Sequence, residues 1–193
     1  MTDIFLINGS GGVGKDEFVK QCRKALKDIA IERYNGLAES LHQDYDVINY
    51  SSIEKIKTVA TFLTGWTDKD KKTEKMRKFL CDLTQVWDSI DGRKKHIEGI
   101  IGNFIYKGEN MEHLFAFIHI REPEMIDDLK KKYSEYGVHT LLVTNKNVKP
   151  IVSNDADMNT NFYEYDYYIR NDGTVEDLYN SAVQFVKQFI RVE

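Results

Sequence analysis

An apolar run, a cluster of glycines and an amphipathic pattern follow one another without a break at the start of the chain, and they constrain its fold most. Ile4-Phe5-Leu6-Ile7 reads as a buried strand, and Phe18, Cys22, Ala25, Leu26 and Ile29 recur at helical spacing. Between them, Gly9-Ser10-Gly11-Gly12-Val13-Gly14-Lys15-Asp16 has the spacing G-x-x-x-x-G-K, with aspartate where serine or threonine usually ends it. A phosphate chain needs several inward-pointing backbone N–H donors. Glycine permits the required conformations, and a helix amino terminus adds a favourable dipole. The spacing therefore predicts that Gly11, Gly12, Val13, Gly14, Lys15, Asp16 and Glu17 bind the phosphates of ATP, with the Lys15 ammonium on the terminal ones. A ligand-free glycine turn is the plainer alternative. Asp16 sets a carboxylate beside an anionic ligand, a repulsion that coordination of Mg²⁺, direct or through water, would relieve. Its other role is to complement the helix dipole.

Downstream, strands and helices alternate. Asp46 to Tyr50 reads as a strand, and Ser51 with Glu54 forms a capping-box pattern for a helix through about Phe62. Thr67 with Asp70 predicts another helix start, leading into a stripe of Met76, Phe79, Leu80, Leu83, Trp87 and Ile90; the charged run Asp68 to Lys72 reads as its solvated first turn. Arg93 to Lys107 suits a helix weakened by Gly99 and Gly102. Leu114 to Ile120 reads as a strand buried on both faces, Pro123 to about Tyr136 as a helix, and Val138 to Val143 as the next strand. Asn145 to Asn161 is a long polar loop, Tyr165 to Ile169 a last strand, and Asn171-Asp172-Gly173 a turn into a final helix. This order predicts a three-layer α/β fold with a roughly five-stranded parallel sheet. In such folds ligands gather beyond the carboxyl ends of the strands, where the glycine loop, Ser51, Arg121, Asn145 and Asn171 can converge.

With 193 residues the expectation is one domain, carrying a helical insert at about 52–108 and a lid loop at about 145–161. A net charge of -4 and pI near 5.8 argue against polymeric nucleic acid or an anionic membrane as partner, and any phosphate recognition must be local. Met1-Thr2-Asp3 leads straight into a strand, and no apolar run approaches membrane-spanning length, so a cytoplasmic protein is expected. Cys22 and Cys81 lack metal-ligand spacing and read as reduced, packed thiols.

The ending Gly14-Lys15-Asp16 resembles that of the phage and bacterial deoxynucleoside monophosphate kinases and of the animal-type phosphomevalonate kinases, which are P-loop kinases of similar length. Ser52-Ile53-Glu54-Lys55, Glu74-Lys75-Met76-Arg77 and the segment Tyr165 to Thr174 extend the likeness in order along the chain. The resemblance implies an acceptor pocket over the second strand and under the helical insert, with Ser51 or Ser52, Lys55 and Arg77 holding the phosphate of a small-molecule acceptor. Ser51 as a helix cap and Arg77 as a solvated charge are the plainer alternatives. It further implies Arg121 beside the reacting phosphates, basic lid residues at Lys146 and Lys149, and Asn171, Gly173 and Thr174 near the adenine; Thr174 with Asp177 also makes a good helix cap. His119 stands where the resembled deoxynucleoside monophosphate kinases often carry aspartate. Glu122 is placed to replace that carboxylate or to start the next helix. The implied reaction moves the γ-phosphoryl group of MgATP to a phosphorylated small molecule, a (deoxy)nucleoside monophosphate first and a phosphomevalonate-type acceptor second. A nucleotide-binding regulator without transfer is the alternative of another class.

Overall fold

The computed structural model describes residues 1–33, 45–67, 70, 73–148 and 163–190. Strand β1 (Thr2–Asn8) leads through the glycine loop into helix α1 (Lys15–Arg33), and β2 (Tyr45–Ser51) follows. Next come three helices, α2 (Glu54–Thr64), α3 (Glu74–Asp88) and α4 (Gly92–Gly108). The chain continues through β3 (His113–His119), α5 (Pro123–Lys132), β4 (Gly137–Thr144), β5 (Tyr167–Arg170) and α6 (Val175–Lys187). The five strands form one parallel sheet in the order β2-β3-β1-β4-β5.

Both faces of the sheet are covered, as the unbroken apolar runs of β1 and β3 require. Alternation along β1 sends Phe5 and Ile7 to the face carrying α1 and α6, and Ile4 and Leu6 to the face carrying α4 and α5. Phe5 is the centre of the first layer. It stacks on Phe117 and Phe115 at centroid distances of 4.9 and 6.0 Å and meets Phe185 and Phe189 at 5.0 Å each. Helices α2 and α3 build a separate small core from Ile56, Ala60, Trp66 and Leu80. No helix among the described residues is long and apolar enough to cross a membrane.

Several expected boundaries move for physical reasons. The pattern Ser51-x-x-Glu54 does not cap α2: Ser51 stays in β2, in register with His119, and Ile53 is the cap residue without a side-chain bond. Sheet pairing has overridden the local cap. Thr67 does bond Asp70, through its N–H at 2.7 Å and its hydroxyl at 2.9 Å. Helix α3 starts later, where Thr73 accepts from the Met76 N–H. Residues 68, 69, 71 and 72 of the charged run lie outside the described residues. Gly99 and Gly102 do not interrupt α4. Helix α5 ends at Lys132 rather than Tyr136, because residues 133–136 turn the chain back into β4. The last strand starts at Tyr167, since the Asp166 carboxylate takes the Thr140 N–H at 2.8 Å in place of a backbone rung. Both cysteines are free thiols, Cys22 buried on α1.

Candidate functional site at the carboxyl ends of the strands

Gly9, Gly12 and Gly14 all have positive φ, of 136°, 86° and 95°. At Gly9 the reason is contact as well as conformation: a Cβ there would lie 2.3 Å from the Val143 carbonyl oxygen, so the loop passes directly over the end of β4. The start of the loop is fixed by Asn8, a fully buried residue at the end of β1. Its Oδ1 accepts from the Gly9 N–H at 2.7 Å, while its Nδ2 donates to the Arg121 carbonyl at 3.1 Å and to the Tyr165 hydroxyl at 2.9 Å. One carboxamide thus ties the glycine loop to the segment that carries Arg121. Burial holds the Tyr165 hydroxyl protonated, its pKa pushed up to about 12.

Helix α1 opens on the loop with Lys15, and its first intrahelical bond runs from the Phe18 N–H to the Gly14 carbonyl at 2.9 Å. The Lys15 side chain folds back so that its ammonium donates to the Gly9 and Ser10 carbonyls, the latter at 3.0 Å. This holds a positive charge over the loop. Asp16 projects outward with 84% of its side chain exposed, and its Oδ1 accepts from Asn49 Nδ2 at 2.8 Å. Glu17 turns along the helix instead, bonded by Gln21 at 2.6 Å. Its backbone N–H, not its carboxylate, is what it can offer a phosphate.

Strand β3 ends beside this point. His119 Nε2 lies 2.6 Å from Asn49 Oδ1 and 3.6 Å from Asp16 Oδ1. Burial depresses the His119 pKa to about 4; Lys15, Lys57 and Arg121 push in the same direction against the opposing pull of Asp16. The imidazole is therefore neutral at pH 7. These same three cations mark the electrostatics around His119: Lys15 from the start of α1, Lys57 from α2, whose ammonium is paired with Glu54 at 3.2 Å, and Arg121 from just beyond β3 lie near it with Asp16. A cluster of cations beside a glycine loop suits an anionic ligand.

The expected acceptor residues are partly brought together. Ser51 pairs with His119 across β2 and β3, and buried Ser52 donates its N–H to the His119 carbonyl at 3.3 Å. Lys55 is exposed on α2 and turned toward His96, whose pKa falls through burial and the nearby Lys55 ammonium. Lys57, which the sequence pattern did not single out, is the α2 cation whose charge acts on His119; its ammonium pairs with Glu54 at 3.2 Å and 18% of its side chain is exposed. Arg77 is exposed in the first turn of α3. Tyr50, on the opposite sheet face from Ser51, packs toward α4: its hydroxyl and His96 Nε2 are 2.6 Å apart, and the His96 and Trp87 rings lie 5.6 Å apart.

Glu122 is engaged by a buried arginine. Its Oε1 accepts from Arg93 Nη1 at 3.0 Å, and Arg93 also forks onto Asp88 at 2.8 and 2.6 Å with only 4% of its side chain exposed. Burial works against the Arg93 charge, but Glu122 and Asp88 outweigh it and hold the guanidinium ionised. Opposite, Asn171 Nδ2 donates to the Val13 carbonyl at 2.9 Å, and Asp172 accepts from the Lys146 N–H at 2.8 Å. Thr174 forms a full capping box with Asp177, and a Cβ on Gly173 would meet the Asp177 carboxylate at 2.5 Å. Asn171 therefore belongs to the loop's wall, whereas Thr174 is occupied as a cap. Of the expected lid, 145–148 form a turn and Lys149 lies outside the described residues.

Asn8, Asn49, Lys57 and Arg93 are the site's unexpected members. Asn8 and Asn49 had a signal: each is a polar residue near the carboxyl end of an apolar strand, the position where this sheet topology collects ligands. Arg93 and Lys57 had none beyond their charge. No protein-family model matches the chain, and no curated protein matches it. Its function has to be read from these residues.

Proposed function

We propose that this chain is a P-loop phosphotransferase that uses ATP to phosphorylate a small phosphorylated acceptor. One observation carries the reading: a glycine loop with three positive-φ glycines leads into α1 beside His119, where Lys15, Lys57 and Arg121 gather with the exposed carboxylate of Asp16. Backbone N–H groups of the loop and the first turn of α1 hold the β- and γ-phosphates, as orphan donors at a helix amino terminus do. Lys15 neutralises the moving charge, and Arg121 and Lys57 meet the charge that develops on the transferred group. Asp16, outward-facing and fixed by Asn49, fits the hard oxygen donor that a divalent cation on the nucleotide requires. Such a cation, held by Asp16, would supply charge neutralisation to the phosphates.

Ser51 and buried Ser52, at the end of β2 next to His119, are the candidates for the acceptor side. The likeness of Gly14-Lys15-Asp16 to the deoxynucleoside monophosphate kinases makes a nucleoside monophosphate the preferred substrate class, with Lys55 and Arg77, exposed on α2 and α3, as further acceptor candidates.

The test is ADP release from MgATP across a panel of nucleoside monophosphates and phosphomevalonate, with Lys15→Ala as control. Acceptor-dependent ADP release that falls at least about a hundredfold in Lys15→Ala supports transfer. Equal release by the variant sinks the P-loop chemistry. Thermal stabilisation by ATP with no turnover on any acceptor would instead make the chain a nucleotide-binding regulator.

A further inference from the structure

We infer that His119 and Asp16 together ligate the divalent cation carried by the nucleotide, so that the site prefers a transition-metal cation such as Mn²⁺ to Mg²⁺. The inference rests on the nucleotide-binding reading above and adds to it the identity of the metal. Asp16 Oδ1 and His119 Nε2 are 3.6 Å apart. Two donors bound at right angles to one ion, each at ~2.1 Å, stand about 3 Å apart, so a shift of roughly half an ångström lets both bind.

Asn49 already brings the pair together, donating from Nδ2 to Asp16 at 2.8 Å and facing His119 Nε2 with Oδ1 at 2.6 Å. An ion at Nε2 takes the place of the ring proton, which moves to Nδ1, and leaves Asn49 Oδ1 as a further oxygen directed at the ion. The His119 backbone is pinned by register with Ile7 on β1 and Ser51 on β2, so the ring has little freedom to withdraw.

Ligand chemistry sets the preference. Mg²⁺ is bound through oxygens, while an imidazole in the set favours the transition metals. Among the described residues, no group of three or more His, Cys, Asp or Glu could hold an ion. The remaining positions fall to phosphate oxygens and water. Lys15, Lys57 and Arg121 also repel a bare cation from this place. The ion is thus expected to bind with the nucleotide and only weakly without it.

The experiment uses the full chain with Mn²⁺ and ADP. Pulsed electron paramagnetic resonance should show coupling between Mn²⁺ and a directly bound imidazole nitrogen, and the pattern should change when the protein is made with ¹⁵N-histidine. The coupling should vanish in His119→Asp and His119→Gln while both variants still bind Mn²⁺·ADP. The wild type should bind Mn²⁺·ADP about tenfold more tightly than Mg²⁺·ADP, a ratio that falls toward unity in His119→Asp. Bound Mn²⁺·ADP without histidine coupling overturns the inference and leaves the nucleotide reading intact. Failure to bind ADP with or without metal removes both.

Discussion

The Asn171 carboxamide fills the space that a side chain at Gly14 would need: a Cβ there would lie 2.2 Å from Asn171 Nδ2, the same atom that donates to the Val13 carbonyl at 2.9 Å. The final strand-to-helix turn therefore braces the glycine loop from outside. Gly14→Ala must accept both this overlap and a φ of 95°, a strain on the order of 1–3 kcal/mol. It should retain its fold by circular dichroism but lose thermal stabilisation by ATP. Asn171→Ala removes only the brace, worth ~1 kcal/mol, and should weaken ATP binding about five- to tenfold by titration calorimetry. An Asn171→Ala protein with unchanged affinity would show that the loop holds its shape alone.

Lys57 offers a test of the cleft's charge. Under the phosphotransfer reading, Lys57→Ala should lower kcat/KM by about ten- to a hundredfold, because a positive group facing the reacting phosphates is lost. Lys78→Ala is the control: its side chain is 76% exposed and paired with Asp82 on the outer surface of α3. Equal effects of the two substitutions would remove Lys57 from the site.

Arg93 is a test of what holds the insert to the cleft. Its guanidinium joins Asp88 at the end of α3 to Glu122 at the start of α5, next to Arg121. Arg93→Met should lower stability by about 2–4 kcal/mol in urea unfolding, below the full cost of breaking a buried pair because both carboxylates are a third exposed. Acceptor KM should rise as well, since the corner joining α3 and α4 loses its tie to the Arg121 segment. A change within about 0.5 kcal/mol would mean that water replaces the guanidinium at no cost.

These residues also show what the sequence could and could not convey. The runs Ile4 to Ile7 and Leu114 to Ile118 identify strands buried on both faces, and glycine spacing identifies the loop, because both are local patterns. Asn49 reaches Asp16 across 33 positions and Arg93 reaches Glu122 across 29, so only the folded sheet brings them together. Ser51 misled in the opposite way. Its capping pattern is genuine chemistry, but seven residues of β2 paired along β3 outweigh one side-chain cap. Thr67 with Asp70 likewise makes its local bond and leaves the helix to begin at Thr73.

At the amino end of β1, away from the cleft, one carboxylate serves two imidazoles: Asp3 Oδ2 lies 2.8 Å from His113 Nε2, and Oδ1 lies 3.1 Å from His139 Nε2. Burial raises the Asp3 pKa, but the hydrogen bonds from His113 and His139 outweigh it and leave the folded value below the ordinary 3.8. A depressed carboxylate binds its proton less readily in the folded chain than in the unfolded one. Its stabilisation is therefore complete above 3.8 and disappears as pH falls through the lower folded value. Wild-type stability in urea should drop between about pH 5 and pH 2, while Asp3→Asn should be less stable by about 1–3 kcal/mol above pH 5 and should converge on the wild type below that window. A gap between the two proteins that stays constant from pH 6 to pH 2 would show that the Asp3 charge contributes nothing and that only the shape of the side chain matters.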